Sequence, residues 1–280
     1  MAIPFEAVTG YGSINCPLPM PPCSVLDIGQ SNVYDCSREA VSAWMTQRGI
    51  AVDETWAADF THRSGFDSTG NRLNAAFLGE LCAKGGINYR ALDIMDASTV
   101  ILFDLNRDEL SPELWESFDL VLNSGTTEHV LNQFNAFKAI HDATKSGGEM
   151  LHILPISGHT DHGYVHYTSR FFFDLAGYND YEILEATYLW PAAASSKLFD
   201  SVRAYSNTFA LLKEAEKRGI MVARHGYGPE LSIPDVSALI RYRKRRSARF
   251  AGALDAATAV TQPARSVVER YDWRVPAPPR

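Results

Sequence analysis

Short apolar runs alternate with stretches of helical period along this chain. The runs are Ser24-Val-Leu-Asp-Ile-Gly29, Tyr89-Arg-Ala-Leu-Asp-Ile94, Val100-Ile-Leu-Phe-Asp-Leu-Asn106, Phe118-Asp-Leu-Val-Leu-Asn123 and Glu149-Met-Leu-His-Ile-Leu-Pro155. Their length and near-continuous apolarity predict strands buried on both faces. Helices are expected between them. Asp35 to Arg48 places Ala40, Val41, Trp44 and Met45 on one side, and Arg72 to Lys84 places Leu73, Phe77 and Leu81 at i, i+4, i+8 before Gly85-Gly86. After Asn123, the residues Ser124 to Thr127 read as a turn and helix cap. A helix follows with Val130, Phe134, Phe137 and Ile140 inward, stopped by Gly147-Gly148. Thr168 caps a further helix with Phe171, Phe172 and Leu175 inward, and Tyr181 to Tyr188 reads as a strand. Asp235 to Arg243 closes the set as a last strand, and residues 49–70 read as a polar, irregular surface excursion.

The predicted order is β, α, α, β, β, β, α, β, α, β, an insertion, β. Strand–helix–strand units of this kind build a parallel sheet, and ligands bind such sheets beyond the carboxyl ends of the strands. The rim then includes Asn123 to His129. Residues 1–23 form a Pro- and Gly-rich lead-in, 24–244 the main domain with 191–234 as a helical insertion, and 245–280 a basic, then Ala-rich, then Pro-rich extension.

Composition narrows the function classes. A chain of 280 residues, 46% apolar, is long enough for a substantial core. Its net charge of −7 gives no general attraction to nucleic acid or acidic membranes. No run is long enough to span a membrane, and the start Met-Ala-Ile-Pro-Phe-Glu lacks a signal pattern, so a cytoplasmic location is expected. Cys16, Cys23, Cys36 and Cys82 include no CxxC pair and suit a reducing compartment. Arg241-Tyr-Arg-Lys-Arg-Arg246 is read as a strand end and a solvated tail, with no nucleic acid expected as partner.

Three consecutive strands end in acids beside small residues: Asp27 with Gly29, then Asp93, then Asp104. A carboxylate accepts two hydrogen bonds from vicinal hydroxyls, another accepts from an exocyclic amine, and a glycine admits close backbone approach. The pattern suits a ligand with a ribose and an amino-bearing base. Six of the eight histidines lie between His129 and His166. His141 falls on a helix's apolar side and His152 inside a strand, so both read as core groups. His159, Asp161, His162 and His166 match no established ligand spacing, and no metal is expected.

The segments Val25-Leu-Asp-Ile-Gly29, Ala91-Leu-Asp93, Phe118-Asp-Leu-Val-Leu-Asn123, Glu128-His-Val130, Lys145-Ser-Gly-Gly148 and Pro155 together resemble the class I S-adenosylmethionine-dependent methyltransferases. The resemblance covers about residues 24–190, with Asp235 to Lys244 resembling that family's seventh, antiparallel strand. It implies a Rossmann-like, seven-stranded, mostly parallel α/β sheet with helices on both faces. It further implies that Asp27 and Gly29 lie near the methionine part of S-adenosyl-L-methionine and that Asp93 holds the ribose. Asp104 and Leu105 would sit by the adenine, and Asn123, Ser124 and Gly125 would contact the methionine end. The family's first loop usually carries three glycines; here it reads Gly29-Gln-Ser-Asn-Val33. Asp27 and Asp93 are 66 residues apart (93 − 27), so the first crossover carries extra structure.

Methyl transfer from a sulfonium needs chiefly in-line positioning, with a base added for an oxygen acceptor. A neutral imidazole suits that task, and His162 and His129 are the candidates, each beyond one of two neighbouring strands. His129 is expected to be the weaker base, because a helix beginning near Thr126 would disfavour its imidazolium. The expected activity is O-methylation of a small molecule or glycan. The alternative is a non-catalytic methyltransferase-like binding or assembly module, and oligomeric state is left open.

Overall fold

The computed structural model describes residues 2–9, 18–34, 36–159, 162–189 and 236–252. Its strands and helices are β1 (Ala2–Pro4), α1 (Phe5–Thr9), β2 (Ser24–Ile28), β3 (Asn32–Tyr34), α2 (Arg38–Gln47), α3 (Glu54–Arg63), α4 (Leu78–Lys84), β4 (Asn88–Asp93), β5 (Val100–Leu102), β6 (Phe118–Ser124), α5 (Gln133–Ala143), β7 (Thr144–Ser157), α6 (Ser169–Asn179), β8 (Tyr181–Leu189) and β9 (Val236–Lys244). The expected insertion at 191–234, most of the 245–280 extension and Asp161 lie outside the described residues.

Seven strands form one sheet in the order β5-β4-β2-β6-β7-β9-β8. The pairs β2–β4, β2–β6, β4–β5 and β6–β7 are parallel, and β9 runs antiparallel to both β7 and β8. This is the expected Rossmann-like sheet with its last strand antiparallel. Alternation along the strands splits the core into two layers. Val25, Tyr89, Leu120 and Leu122 pack with Trp44, Phe60 and Leu81 on one face. Leu26, Ile28 and Val121 pack with Phe137, Ile140 and Phe172 on the other. His141 and His152 are buried as expected. His141 is satisfied by Tyr181 Oη at 2.6 Å and the Ala248 carbonyl at 2.8 Å.

The first crossover holds the extra structure that the 66-residue spacing implied. Val33 N donates to Ala76 O at 2.8 Å and Leu78 N to Ser31 O at 3.0 Å, so the chain leaves and returns at one point. Between them lie β3, α2 and α3. β3 pairs with β1 in a separate two-stranded parallel sheet, and Ile3, Phe5, Ala7 and Val8 from the lead-in are buried in the core. With this excursion set aside, α4 is the helix that follows β2. Gly79 in α4 allows close helix–sheet packing, because a Cβ there would meet the Tyr89 ring at 2.9 Å. A glycine that serves helix packing therefore stands 50 residues after Gly29 (79 − 29).

Several local expectations are corrected. Residues 49–70 contain α3, started by Asp53 capping Trp56 N and anchored by buried Ala57 and Phe60. The helix expected over Arg72 to Lys84 is only α4, with Phe77 at its N-cap. The helix expected from Thr126 starts at Gln133, capped by Asn132, after a 3₁₀ turn at Thr127–His129; Phe134 faces outward. Gly147-Gly148 does not stop it. The helix ends at Ala143, and both glycines lie in β7, where a Cβ on Gly148 would press on the Phe118 and Asp119 carbonyls at 3.1 Å.

The basic run near the end of β9 is spent on ion pairs. Arg241 and Arg243 meet Glu149, Lys244 meets Glu116, and Arg245 and Arg246 meet Asp180. Lys244 is buried and also donates to the His141 and Thr144 carbonyls at 2.9 Å. No helix among the described residues is long and apolar enough to cross a membrane.

Candidate functional site

At the carboxyl ends of the strands a cleft of about 360 Å³ opens between the excursion and the loops after β6 and β7. Asn32, Tyr34 and Asn74 line it from the excursion, Ser124, Gly125, Glu128 and His129 from the turn after β6, and Pro155, His159 and His162 from β7 and its loop.

The turn after β6 is held from within. Asn123 is buried, and its Nδ2 bonds to Thr127 Oγ1 at 2.9 Å and His152 Nδ1 at 3.2 Å. Thr126 Oγ1 donates to the Ile28 carbonyl, tying the turn to β2. Asn123 thus shapes the turn, while its neighbours Ser124 and Gly125 face the cleft. His152, fully buried, is pushed down to about 3 by desolvation and stays neutral.

The loop after β7 docks on Glu128. The Glu128 carbonyl accepts Tyr164 N at 2.8 Å and Val165 N at 3.0 Å. Gly163 makes this approach possible, since a Cβ would meet Glu128 Cγ at 2.9 Å. His159 lies in the left-handed region at φ 48°, and the His162 amide donates to its carbonyl at 3.1 Å. Such strained positions cluster at functional sites. The result brings the His129 and His162 rings to 5.0 Å, and His162 to 5.6 Å from His159. The two histidines singled out in the sequence therefore share one cleft.

Glu128 is the residue that sequence reasoning missed. It is 1% exposed, its Oε2 has no hydrogen-bond partner, and its Oε1 lies 3.6 Å from His162 Nε2. Burial pushes its carboxyl up to about 7. The available signal was its place beside His129, but a helix running through it would have made it a surface residue. His129 is lowered, first by burial and then by the neighbouring His162. The expected direction holds; the expected cause does not, because α5 begins four residues beyond His129.

The acids at the strand ends divide into two kinds. Asp27 is turned inward: it accepts Ser31 N and Oγ at 2.8 and 3.0 Å and Tyr89 Oη at 2.9 Å, and it is fully buried. It braces the Gly29 loop. Burial outweighs these donors and pushes it up to about 7 from 3.8. Between these values the folded protein holds a proton that the unfolded chain releases. The stability from Asp27 is complete below pH 3.8 and is lost as pH rises through about 7. Compared with Asp27→Asn, the wild type is expected to lose up to about 1.4 kcal/mol per pH unit across that interval, and no more above it. Urea melts of both proteins from acid to neutral pH check this; a constant difference would mean that Asp27 titrates alike in the folded and unfolded chain.

Asp93 faces outward. It is half-buried, and its oxygens accept Gln30 N at 2.8 Å and Met95 N at 3.0 Å. Gly29, at φ 81°, makes the turn that brings Gln30 there, and its own N–H donates to the Leu92 carbonyl at 2.7 Å. Beside Asp93 stand Ile94 and Met95, 73% and 71% exposed. Asp104 accepts Asn106 N at 2.8 Å in the turn after β5. The Leu105 side chain is buried in the core and its carbonyl takes Asn135 Nδ2 at 2.9 Å.

The sheet order with its lone antiparallel strand gives the chain a class I methyltransferase fold. No family model and no curated protein matches the sequence. Among solved structures it is similar to a SAM-dependent methyltransferase of Archaeoglobus fulgidus, at 17% identity over 79% of this chain and 87% of that one, with a TM-score of 0.37. A SAM-dependent methyltransferase of Mesorhizobium loti is 14% identical over 81% and 94%, with a TM-score of 0.32. The geranyl diphosphate C-methyltransferase of Streptomyces coelicolor is 14% identical over 80% and 72%, with a TM-score of 0.35. Superpositions this loose are likenesses and assign neither acceptor nor activity.

Proposed function

We propose that this protein is an S-adenosyl-L-methionine-dependent methyltransferase that methylates a hydroxyl of a small molecule or glycan. One observation carries the reading. Ser124 and Gly125, which would meet the methionine end of the cofactor, line the same cleft as His129 and His162, which can take a proton. The described residues fit the cofactor. Asp93 keeps lone pairs for ribose hydroxyls beyond the two amides it accepts, Gly29 lets the backbone approach, and exposed Ile94 and Met95 offer apolar cover for a base. Asp104 stands at the adenine end. Asp27 acts through the loop it braces.

The bound cofactor supplies an activated methyl group. The chain's own residues hold the acceptor hydroxyl in line and receive its proton. His162 is the proposed base, and Glu128 lies within ion-pair distance to stabilise the imidazolium that forms. His129 shapes the cleft beside it. The polar lining from Asn32, Tyr34 and Asn74 suits a hydroxylated acceptor. We assign the reaction to the cytoplasm, in keeping with the thiols of Cys23, Cys36 and Cys82.

The test is a thermal melt with S-adenosylhomocysteine. At 100 times its dissociation constant it should add about 2.7 kcal/mol, a rise of about 5 °C. A melt unmoved at millimolar ligand would overturn the reading and leave a methyltransferase-like binding module.

A further inference from the structure

We propose that Glu128, His129 and His162 form a binding site for a divalent first-row transition cation of the zinc, cobalt and nickel class. Each residue offers one ligand atom, and these atoms all lie within 4.8 Å of one another. His162 Nε2 and Glu128 Oε1 are already 3.6 Å apart. Ligands around a common cation at about 2.1 Å stand about 3–3.5 Å from each other, so small side-chain rotations complete the site.

Two further observations point to a ligand here. Glu128 is buried, yet its Oε2 has no hydrogen-bond partner. A buried carboxyl with no donor on that oxygen is costly to ionise, and a cation held through Oε1 would offset that cost. The two histidines, by contrast, are exposed and line the cleft, which leaves coordination positions for a water or an acceptor oxygen. The arrangement is also built: the Glu128 carbonyl clamps the amides of Tyr164 and Val165, and Gly163 allows the contact that sets His162 over Glu128. Two imidazoles and one carboxylate select transition cations over magnesium or calcium, which prefer all-oxygen sites.

The consequence for catalysis rests on the proposed methyl transfer. A cation at this site takes the lone pairs of His129 and His162, so His162 serves as base only in the cation-free protein. In the loaded protein the cation would lower the pKa of a bound hydroxyl in its place.

Co²⁺ alone, added to chelator-treated protein without cofactor or acceptor, tests the binding. One equivalent should bind with the visible absorption of a nitrogen- and oxygen-ligated ion. Glu128→Gln and His162→Ala, each verified as folded by circular dichroism, should weaken binding at least about 100-fold, beyond the 10–100-fold typical of an outer-shell partner. His166→Ala, at a residue outside the trio, should bind as wild type. The proposal is overturned if wild type takes up no Co²⁺ at millimolar concentration, or if both ligand variants bind as well as wild type. Because the S-adenosylhomocysteine melt uses no cation, a failure here leaves the methyltransferase reading standing, and the reverse also holds.

Discussion

His162→Ala is expected to slow single-turnover methyl transfer, measured in the presence of a chelator, by roughly 10²–10⁴-fold. Cofactor affinity should be unchanged. The range is that of a lost general base. The side chain lies on the loop after β7, half-exposed in the cleft, with the Glu128 carboxylate 3.6 Å from Nε2. Once ionised, above its raised value of about 7, that carboxyl favours the imidazolium created when the acceptor hydroxyl loses its proton. Added imidazole should restore part of the rate in His162→Ala, because the space left is open to solvent; a merely structural defect would not respond. His129→Ala should act more on binding and local structure than on turnover, since His129 sits on the 3₁₀ turn against Glu128. A wild-type rate in His162→Ala would remove it as the base and leave His129 or positioning alone.

Asp93→Ala is expected to weaken S-adenosylmethionine binding by about 1.5–3 kcal/mol, as loss of hydrogen bonds to a charged group does. That is roughly a 10–150-fold rise in the dissociation constant. Part of the loss is indirect. Asp93 also accepts the amides of Gln30 and Met95, so its removal loosens the Gly29 loop and the step to Ile94. The fold should survive, because β4 stays paired on both sides by β2 and β5. Asp93→Asn separates the two effects: it retains an acceptor for the loop but lacks the charge. Isothermal calorimetry on the three proteins reads the result. Equal affinity in wild type and Asp93→Ala would reduce Asp93 to a cap for two amides.

What the chain states locally, it states clearly. The buried strands β2, β4, β6 and β7, the helix α2, the helix α6 with its Thr168 cap, and the last strand β9 follow from apolar period and capping chemistry. These depend on residues a few positions apart. The same holds for the rim, because strand ends are local and the sheet places them together. His129 and His162 were legible as partners for that reason: each follows one of two adjacent parallel strands.

What only the tertiary structure decided depends on residues far apart in sequence. The Gly29 loop looks poor in glycine because β3, α2 and α3 separate Ser31 from Leu78, which a hydrogen bond rejoins. No window on the sequence spans that splice. Asp27 and Asp93 are both strand-end acids, yet burial against Tyr89 turns one into a brace and leaves the other open to a ligand. In the sequence Glu128 is only part of the Glu128-His-Val130 segment, with no role of its own. It becomes a buried carboxyl lining the cleft because Gly163 lets a loop 35 residues later (163 − 128) close over it. The sequence determined the elements and the rim, through short-range periodicity and caps; the fold alone determined which polar groups lost their water, and that desolvation sets the chemistry of the site.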